Sequence, residues 1–396
     1  MPGFPVEYIK DAEPIELTLT QGIRASADNR FAFSMFKEVS EMNGENTFFS
    51  PLSLAVTLGM LYNGASGDTR TEMAEALCFS GFTETDINEY YQKILQALLV
   101  VDPLTDMGIA NSIWYREGFS VKQTFIDINK TFFDALVQSL DFEKTDAKDI
   151  INTWCAEKTK NNIREIIDKP IRNDTRMFLI NTLYFQSNWR YVFDKANTKE
   201  DDFTKSDNLK VKASMMEQKN PFFTYYEDRY LQCVEMPYGN GAFCMNVILP
   251  AYDMDIDRLI EHLDQDNWQN IANSLNYQHI IWVKLPHFKV AFNFDLNDPE
   301  MNVCIQRIFN SNFADFTNIS DDFLFVSNIK QKTFIEVDEE GTVATAATFV
   351  DTWASANGVI PPPPVEFFAN RPFLYLIREK STGVILFIGR LDEPIM

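Results

Sequence analysis

The chain has 396 residues and a formal charge of −22 at pH 7, with 35 Lys and Arg against 57 Asp and Glu. That balance excludes a nucleic-acid binder, because a phosphate backbone needs a basic face, and it favours a soluble chain steered toward basic partners. A hydrophobic share of 45%, with 34 phenylalanines, suffices for one large core, and only a proline block interrupts the chain as low-complexity sequence.

Residues 1–28 read as an N-terminal extension. Asn29 to Val39 carries Phe31, Met35 and Phe36 at helical spacing and predicts a first helix. Ser50 is placed to cap a second helix with Pro51 at its first position, and Asn63-Gly64-Ala65 ends it. Thr69 to Leu77 predicts a short helix, with Thr69 and Glu72 spaced as a capping box. Helices follow over Ile87 to Val100 and Phe125 to Phe133, with strands over Gly108 to Tyr115 and Ala135 to Phe142. Asp149 to Ile167 is amphipathic through Ile150, Ile151, Trp154, Ile163 and Ile166. Met177 to Phe185 reads as an apolar strand leading to Trp189, Cys233 to Pro250 as a hairpin, and Ile280 to Phe294 as two further strands. Strands and helices mix without βαβ regularity, so the fold class is α+β.

Five cysteines (Cys78, Cys155, Cys233, Cys244, Cys304), odd in number and without CxxC spacing, make neither a disulfide framework nor a zinc site. Cys233 and Cys244 flank Tyr238-Gly239-Asn240-Gly241, which leaves a bond between them open, with buried free thiols the expectation. No run of 18 apolar residues occurs that would span a membrane. The residues Met1-Pro2-Gly3-Phe4-Pro5 carry no charged-then-apolar leader. An extracellular or cell-surface protein is expected if a leader has been trimmed, and a cytoplasmic one otherwise. The three histidines (His262, His279, His287) are not spaced for a metal, Gly64-Ala65-Ser66-Gly67 is not a nucleophile elbow, and no phosphate-binding glycine loop appears. No enzyme and no cofactor is expected.

The chain is organised around the stretch from Val337 to Pro364. Phe334 to Val337 before it alternates as a strand, as do Phe373 to Ile377 and Val384 to Ile388 after it. Asp338, Glu339, Glu340 and Gly341 open the segment, and Pro361 to Pro364 close it, which is the composition of an exposed loop. Within it Thr342, Ala344, Ala346 and Thr348 form a period-2 series of small residues that would share one face of a strand. A segment patterned as strand but framed as loop is a candidate two-state element.

Glu339-Glu340-Gly341-Thr342-x-Ala344-x-Ala346-Ala347-Thr348 resembles the hinge of a serpin reactive-centre loop. The block with Asn46, Ser50, Pro51, Ser53, Leu58, Met60, Gly64, Ala65, Gly67 and Thr69 resembles that family's signature. Asn181 to Trp189 resembles its central strand, and Phe367 to Leu374 and Gly383 to Leu391 its C-terminal strands. The resemblance implies one serpin domain over 29–396, with three β-sheets, eight or nine helices and an exposed loop at about 338–364. It implies a shutter at Ser50, Ser53, Asn181 and Gln331, where a histidine is common in animal members. It implies a breach at Trp189 and Glu339, with His287 where the family usually has a lysine. Counting fourteen residues from the hinge glycine, it implies a reactive bond between Ser355 and Ala356.

The implied function is suicide-substrate inhibition of a serine protease, working as a monomer. The protease forms an acyl-enzyme with the loop, which then inserts as a strand into the main sheet. An inserted strand of about 14 residues gains on the order of 14 ladder bonds at about 1 kcal/mol net each. That rivals or exceeds a typical whole-protein stability of about 5–15 kcal/mol, so insertion is in effect irreversible. The alternative is a non-inhibitory relative (storage, carrier or chaperone-like), which would break the hinge with bulky, charged or proline residues. This hinge is intact apart from Thr345 at an outward position. No Lys or Arg lies between Gly341 and Asn370, which disfavours a trypsin-like target. Ala354, Ser355 and Ala356 suit an elastase- or subtilisin-like one, and Trp353 is the competing, chymotrypsin-like site.

Overall fold

The computed structural model describes residues 9–43, 46–278, 280–296, 298, 305–326, 329–342 and 363–395. Helices α1 (Leu19–Asn43), α2 (Pro51–Tyr62), α3 (Gly67–Ala76) and α4 (Glu84–Leu98) make up most of the first quarter, with strand β1 (Thr47–Phe49) between the first two. Next come β2 (Asp106–Arg116), α5 (Gln123–Phe133), β3 (Leu136–Leu140), α6 (Ala147–Lys158) and β4 (Met177–Asn188). The middle holds β5 (Lys199–Thr204), β6 (Lys210–Asn220), β7 (Thr224–Glu227), β8 (Leu231–Pro237) and β9 (Phe243–Pro250). Helices α7 (Ile256–His262) and α8 (Gln265–Ser274) precede β10 (Asn276–Tyr277), β11 (Ile281–Pro286) and β12 (Phe288–Asp295). The last described strands are β13 (Lys330–Val337), β14 (Gly341–Thr342), β15 (Val365–Phe368), β16 (Phe373–Glu379) and β17 (Ile385–Leu391).

These strands form three sheets, and the fold is α+β. The main sheet runs β12-β13-β14-β4-β2-β3, a second β1-β17-β16-β9-β8-β7-β10, and a third β15-β11-β6-β5. The residue patterns explain the layering. Strand β12 alternates, with Phe288, Val290, Phe292 and Phe294 buried between exposed neighbours, as a one-sided strand must. Strands β9, β16 and β17 are buried at every residue and read as nearly continuous apolar runs because both their faces are covered. Helix α2, also buried throughout, packs against β4 and β17 and fills the centre of the core. Among the described residues no helix is long and apolar enough to cross a membrane.

Four expectations meet a different outcome. The first helix, expected over 29–39, runs from Leu19 to Asn43, and the ten residues before it already lie on the body: Ala12 N donates to Asn240 O at 3.1 Å, and Asp11 pairs with Arg190 at 2.6 Å. The expected capping box at Thr69 and Glu72 is absent, because the helix starts earlier and both side chains turn elsewhere. The Thr69 hydroxyl accepts from Asp315 N, and Glu72 accepts from Arg307 N at 2.7 Å. Helix α6 stops at Lys158 rather than continuing to Ile167. Lys160 and Asn161 adopt left-handed backbone conformations, and Ile163, Ile166 and Ile167 belong to an extended linker over the main sheet. Cys78, Cys155, Cys233 and Cys244 are all free thiols. Cys233 stands opposite Ile248 and Cys244 opposite Pro237, so the hairpin register keeps them apart, and Cys304 lies outside the described residues.

Candidate functional site

The main sheet is continuous only at its upper end. Strand β14 is two residues long: Gly341 stands opposite Asn188 of β4, while Thr342 pairs with Ser187 on one side and Val337 of β13 on the other. Below Thr342, β4 and β13 share no ladder among the described residues. A slot follows between Leu183–Phe185 and Thr333–Ile335 and opens into a cavity of about 210 Å³. The cavity reaches down to Ser50, Ser53, Thr57, Asn181 and Gln331 and is covered by Ile163, Ile166 and Ile167 of the linker. Two strands thus present edges to a vacant strand position, and a sheet edge is a template for a further strand. Gly341 fits the top of this position because it has no side chain: φ is +155°, and a Cβ there would lie 2.2 Å from Ser187 O.

The turn before β14 is anchored from several directions. Asp338 Oδ1 accepts from Glu340 N and Gly341 N, and Asp338 O accepts from the Trp189 indole N–H at 2.9 Å. Glu339 O accepts from Phe193 N, and Glu340 O from Trp189 N. The Trp189 ring stacks on Tyr238 at 4.4 Å, and Tyr238 Oη lies 2.6 Å from Thr342 Oγ1. Glu339 is buried. Its Oε1 accepts from the Thr198 hydroxyl at 2.6 Å, and its Oε2 lies 2.9 Å from His287 Nε2. Burial raises the Glu339 carboxyl, but the Thr198 hydroxyl, its own backbone N–H and the nearby imidazole together hold it below the usual carboxylate range. Trp189, Glu339 and His287 are therefore brought together. The contact with His287 is ionic only when the ring is protonated.

At the lower end, Ser50 caps α2 as expected: its Oγ accepts from Ser53 N at 3.1 Å and donates to Leu386 O at 2.7 Å. Gln331 of β13 brackets the Ser50 backbone, its Oε1 accepting from Ser50 N at 2.8 Å and its Nε2 donating to Ser50 O at 2.9 Å. An amide has the donor and the acceptor this double bond needs. Ser53 O accepts from the Thr57 hydroxyl. Asn181 lines the same cavity but joins a different chain of contacts. Its Nδ2 donates to Asn111 Oδ1 at 2.7 Å, Asn111 Nδ2 donates to Phe133 O, and Asn181 Oδ1 is buried without a partner.

Asn111, Thr198 and Tyr238 are the members that sequence reasoning missed. Tyr238 was visible only as a residue beside a hairpin turn, and nothing local in the chain reports that its hydroxyl meets a residue 104 positions away. Ala344, Ala346, Ala347 and Thr348 of the expected hinge, and the expected reactive bond at Ser355 and Ala356, lie outside the described residues.

The family model for Serpin (serine protease inhibitor) matches residues 26–394. Iripin-2 of Ixodes ricinus is 30% identical over 93% of this chain and 92% of its own length. Serpin B6 of Pongo abelii is 31% identical over 94% of this chain and the whole of its own. Among solved structures, the thermophilic serpin tengpin in its native state superposes with a TM-score of 0.85 at 29% identity, covering 97% of each chain. Serpin48 of the insect Tenebrio molitor superposes with a TM-score of 0.82 at 30% identity, covering 96% of this chain and all of that one. With this match over nearly its whole length, the chain belongs to the serpin family, whose members are in general protease inhibitors rather than catalytic enzymes.

Proposed function

We propose that the protein is a suicide-substrate inhibitor of serine proteases of the elastase or subtilisin type. The observation that carries this reading is the vacant strand position between β4 and β13, with Gly341 and Thr342 already seated at its head. In the proposed reaction the protease serine oxygen bonds to the carbonyl carbon of Ser355. The Ser355–Ala356 peptide bond then breaks, and the amine leaves with a proton. The freed segment extends β14 down the slot, carrying the acyl-enzyme with it. Thr342, buried and small, sets the size that inward residues must match, and Ala344, Ala346 and Thr348 continue it in sequence.

Incubation with elastase-, subtilisin-, chymotrypsin- and trypsin-like proteases tests the reading. The first two are expected to give an SDS-stable covalent band, with a released C-terminal fragment that starts at Ala356 or Asn357. A fragment starting at Ala354 would instead place the bond after Trp353 and favour a chymotrypsin-like target. Loop cleavage without a covalent band for any of the four would overturn the proposal in favour of a non-inhibitory serpin.

A further inference from the structure

The turn that leads into β14 is fixed through its backbone by Trp189 and Phe193, but the second oxygen of its one buried carboxylate faces a histidine. Glu339 spends Oε1 on Thr198, while Oε2 lies 2.9 Å from His287 Nε2 and off the axis of a hydrogen bond. The strength of this contact is therefore coulombic, and it follows the charge of the ring. The ring sits between β11 and β12, tied to the third sheet through His287 N, which donates to Ser214 O at 2.8 Å.

The other charged groups at this corner keep their charge between about pH 5 and pH 8, where imidazoles exchange their proton. On the turn, Asp338 caps Glu340 N and Gly341 N, and Glu340 pairs with Lys195 from the 3-10 turn beside it. On the adjoining strands Lys289 pairs with Glu336 at 3.0 Å. Thr198 contributes only a hydroxyl. His262 stands on α7 against Tyr230, away from this corner.

We propose that His287 is a positioning residue for the hinge: when protonated it holds Glu339, and with it the turn at the head of the slot, and when neutral it lets the hinge move. The consequence for inhibition rests on the reading that β14 extends down the slot, but the effect on the hinge itself does not. A protonated His287 attracts a buried carboxylate, so Gly341 and Thr342 stay seated and further insertion is slow. Loss of the proton removes that attraction and leaves Glu339 with Thr198 and the backbone, so the seated segment opens more often and insertion speeds up.

Amide exchange of the intact protein without protease is the test. The peptide spanning residues 338–342 would be followed from pH 5.5 to pH 8 against one from β16 and corrected for intrinsic exchange. Hinge protection in the parent is expected to fall about three- to tenfold across this range, the scale of a partly screened ion pair, while β16 stays flat. His287→Lys should hold the protected level throughout and His287→Gln the unprotected level. A flat profile in the parent overturns the proposal, and needs no variant to fold. So does a His287→Gln variant that keeps the parent's pH step. If the step is present but no protease complex forms, the role of His287 stands and the inhibitor reading falls.

Discussion

Tyr238 Oη and Thr342 Oγ1 lie 2.6 Å apart, both buried, and this contact joins the hinge to the second sheet across 104 residues of chain. The phenol also stacks on Trp189, so one side chain reads the position of both the hinge and the end of β4. Tyr238→Phe keeps the ring stack and removes only the hydroxyl. The loss of one buried hydrogen bond should lower the stability of the intact protein by about 1 kcal/mol. A urea midpoint equal to that of the parent would show that the contact does not hold the hinge.

Thr342→Arg tests whether the seated position must be small. Thr342 is 2% exposed and stands between two strands. A guanidinium placed there has no partner and must either stay buried unpaired or drive the hinge out. The variant should be cleaved by the target protease as a substrate, with the covalent band lost. Stable complexes formed as efficiently as by the parent would refute the inward assignment of Thr342.

Gly341→Ala separates backbone from side chain at the same place. A Cβ there would meet Ser187 O at 2.2 Å, which is backbone and cannot swing aside. The strain of the backbone angle adds about 1–2 kcal/mol. β14 should therefore unseat, with faster amide exchange at Thr342 and little change in β16. Unchanged protection at Thr342 would mean that the sheet widens to accept the methyl group.

The Glu339 carboxyl, held below its usual range, makes stability depend on pH with a definite sign. A depressed folded-state value contributes stability that is present above the ordinary glutamate range, about pH 4.3, and is lost as the pH falls through the folded value. Glu339→Gln should remove that part of the acid dependence and flatten the curve below about pH 4.3. Thr198→Val removes the hydroxyl that accounts for much of the depression and should shift the loss to higher pH. An acid-unfolding curve identical in all three proteins would rule out Glu339 as a contributor.

Much of this site is written locally. Ser50 before Pro51 specifies a helix cap, alternation specifies β12 and β13, and the small-residue series marks the segment that enters the sheet. What was not legible depends on register between distant strands. Asn181 pairs with Asn111 because β2 and β4 align at that position, and no pattern in either strand reports the alignment. The end of α6 was hidden for another reason. Its apolar spacing runs on past Lys158, but Thr159 turns its hydroxyl back to Cys155 O, and the linker is instead held by Asn152, whose Oδ1 accepts from Ile166 N and Ile167 N. The isoleucines that looked like the next helical turn pack over the slot from an extended segment.

Cleavage of the loop, finally, should make the protein more stable rather than less. In the intact chain the slot below Thr342 leaves the facing edges of β4 and β13 without a shared ladder, and a cavity of about 210 Å³ remains beneath the linker. A cut loop is free to extend β14, satisfy both edges at once and place its small inward residues in that space. Each ladder bond adds about 1 kcal/mol net, and filling an apolar cavity adds to that, so an inserted strand of about 14 residues outweighs the order it costs the loop. Entry also requires Ile163, Ile166 and Ile167 to lift from the mouth of the slot, which makes the process slow on the intact chain and fast only once the loop is released. Limited proteolysis within 343–362 followed by thermal unfolding measures the difference. The cut form should melt well above the intact one. A cut form that melts at or below it would mean that the slot does not take up the loop.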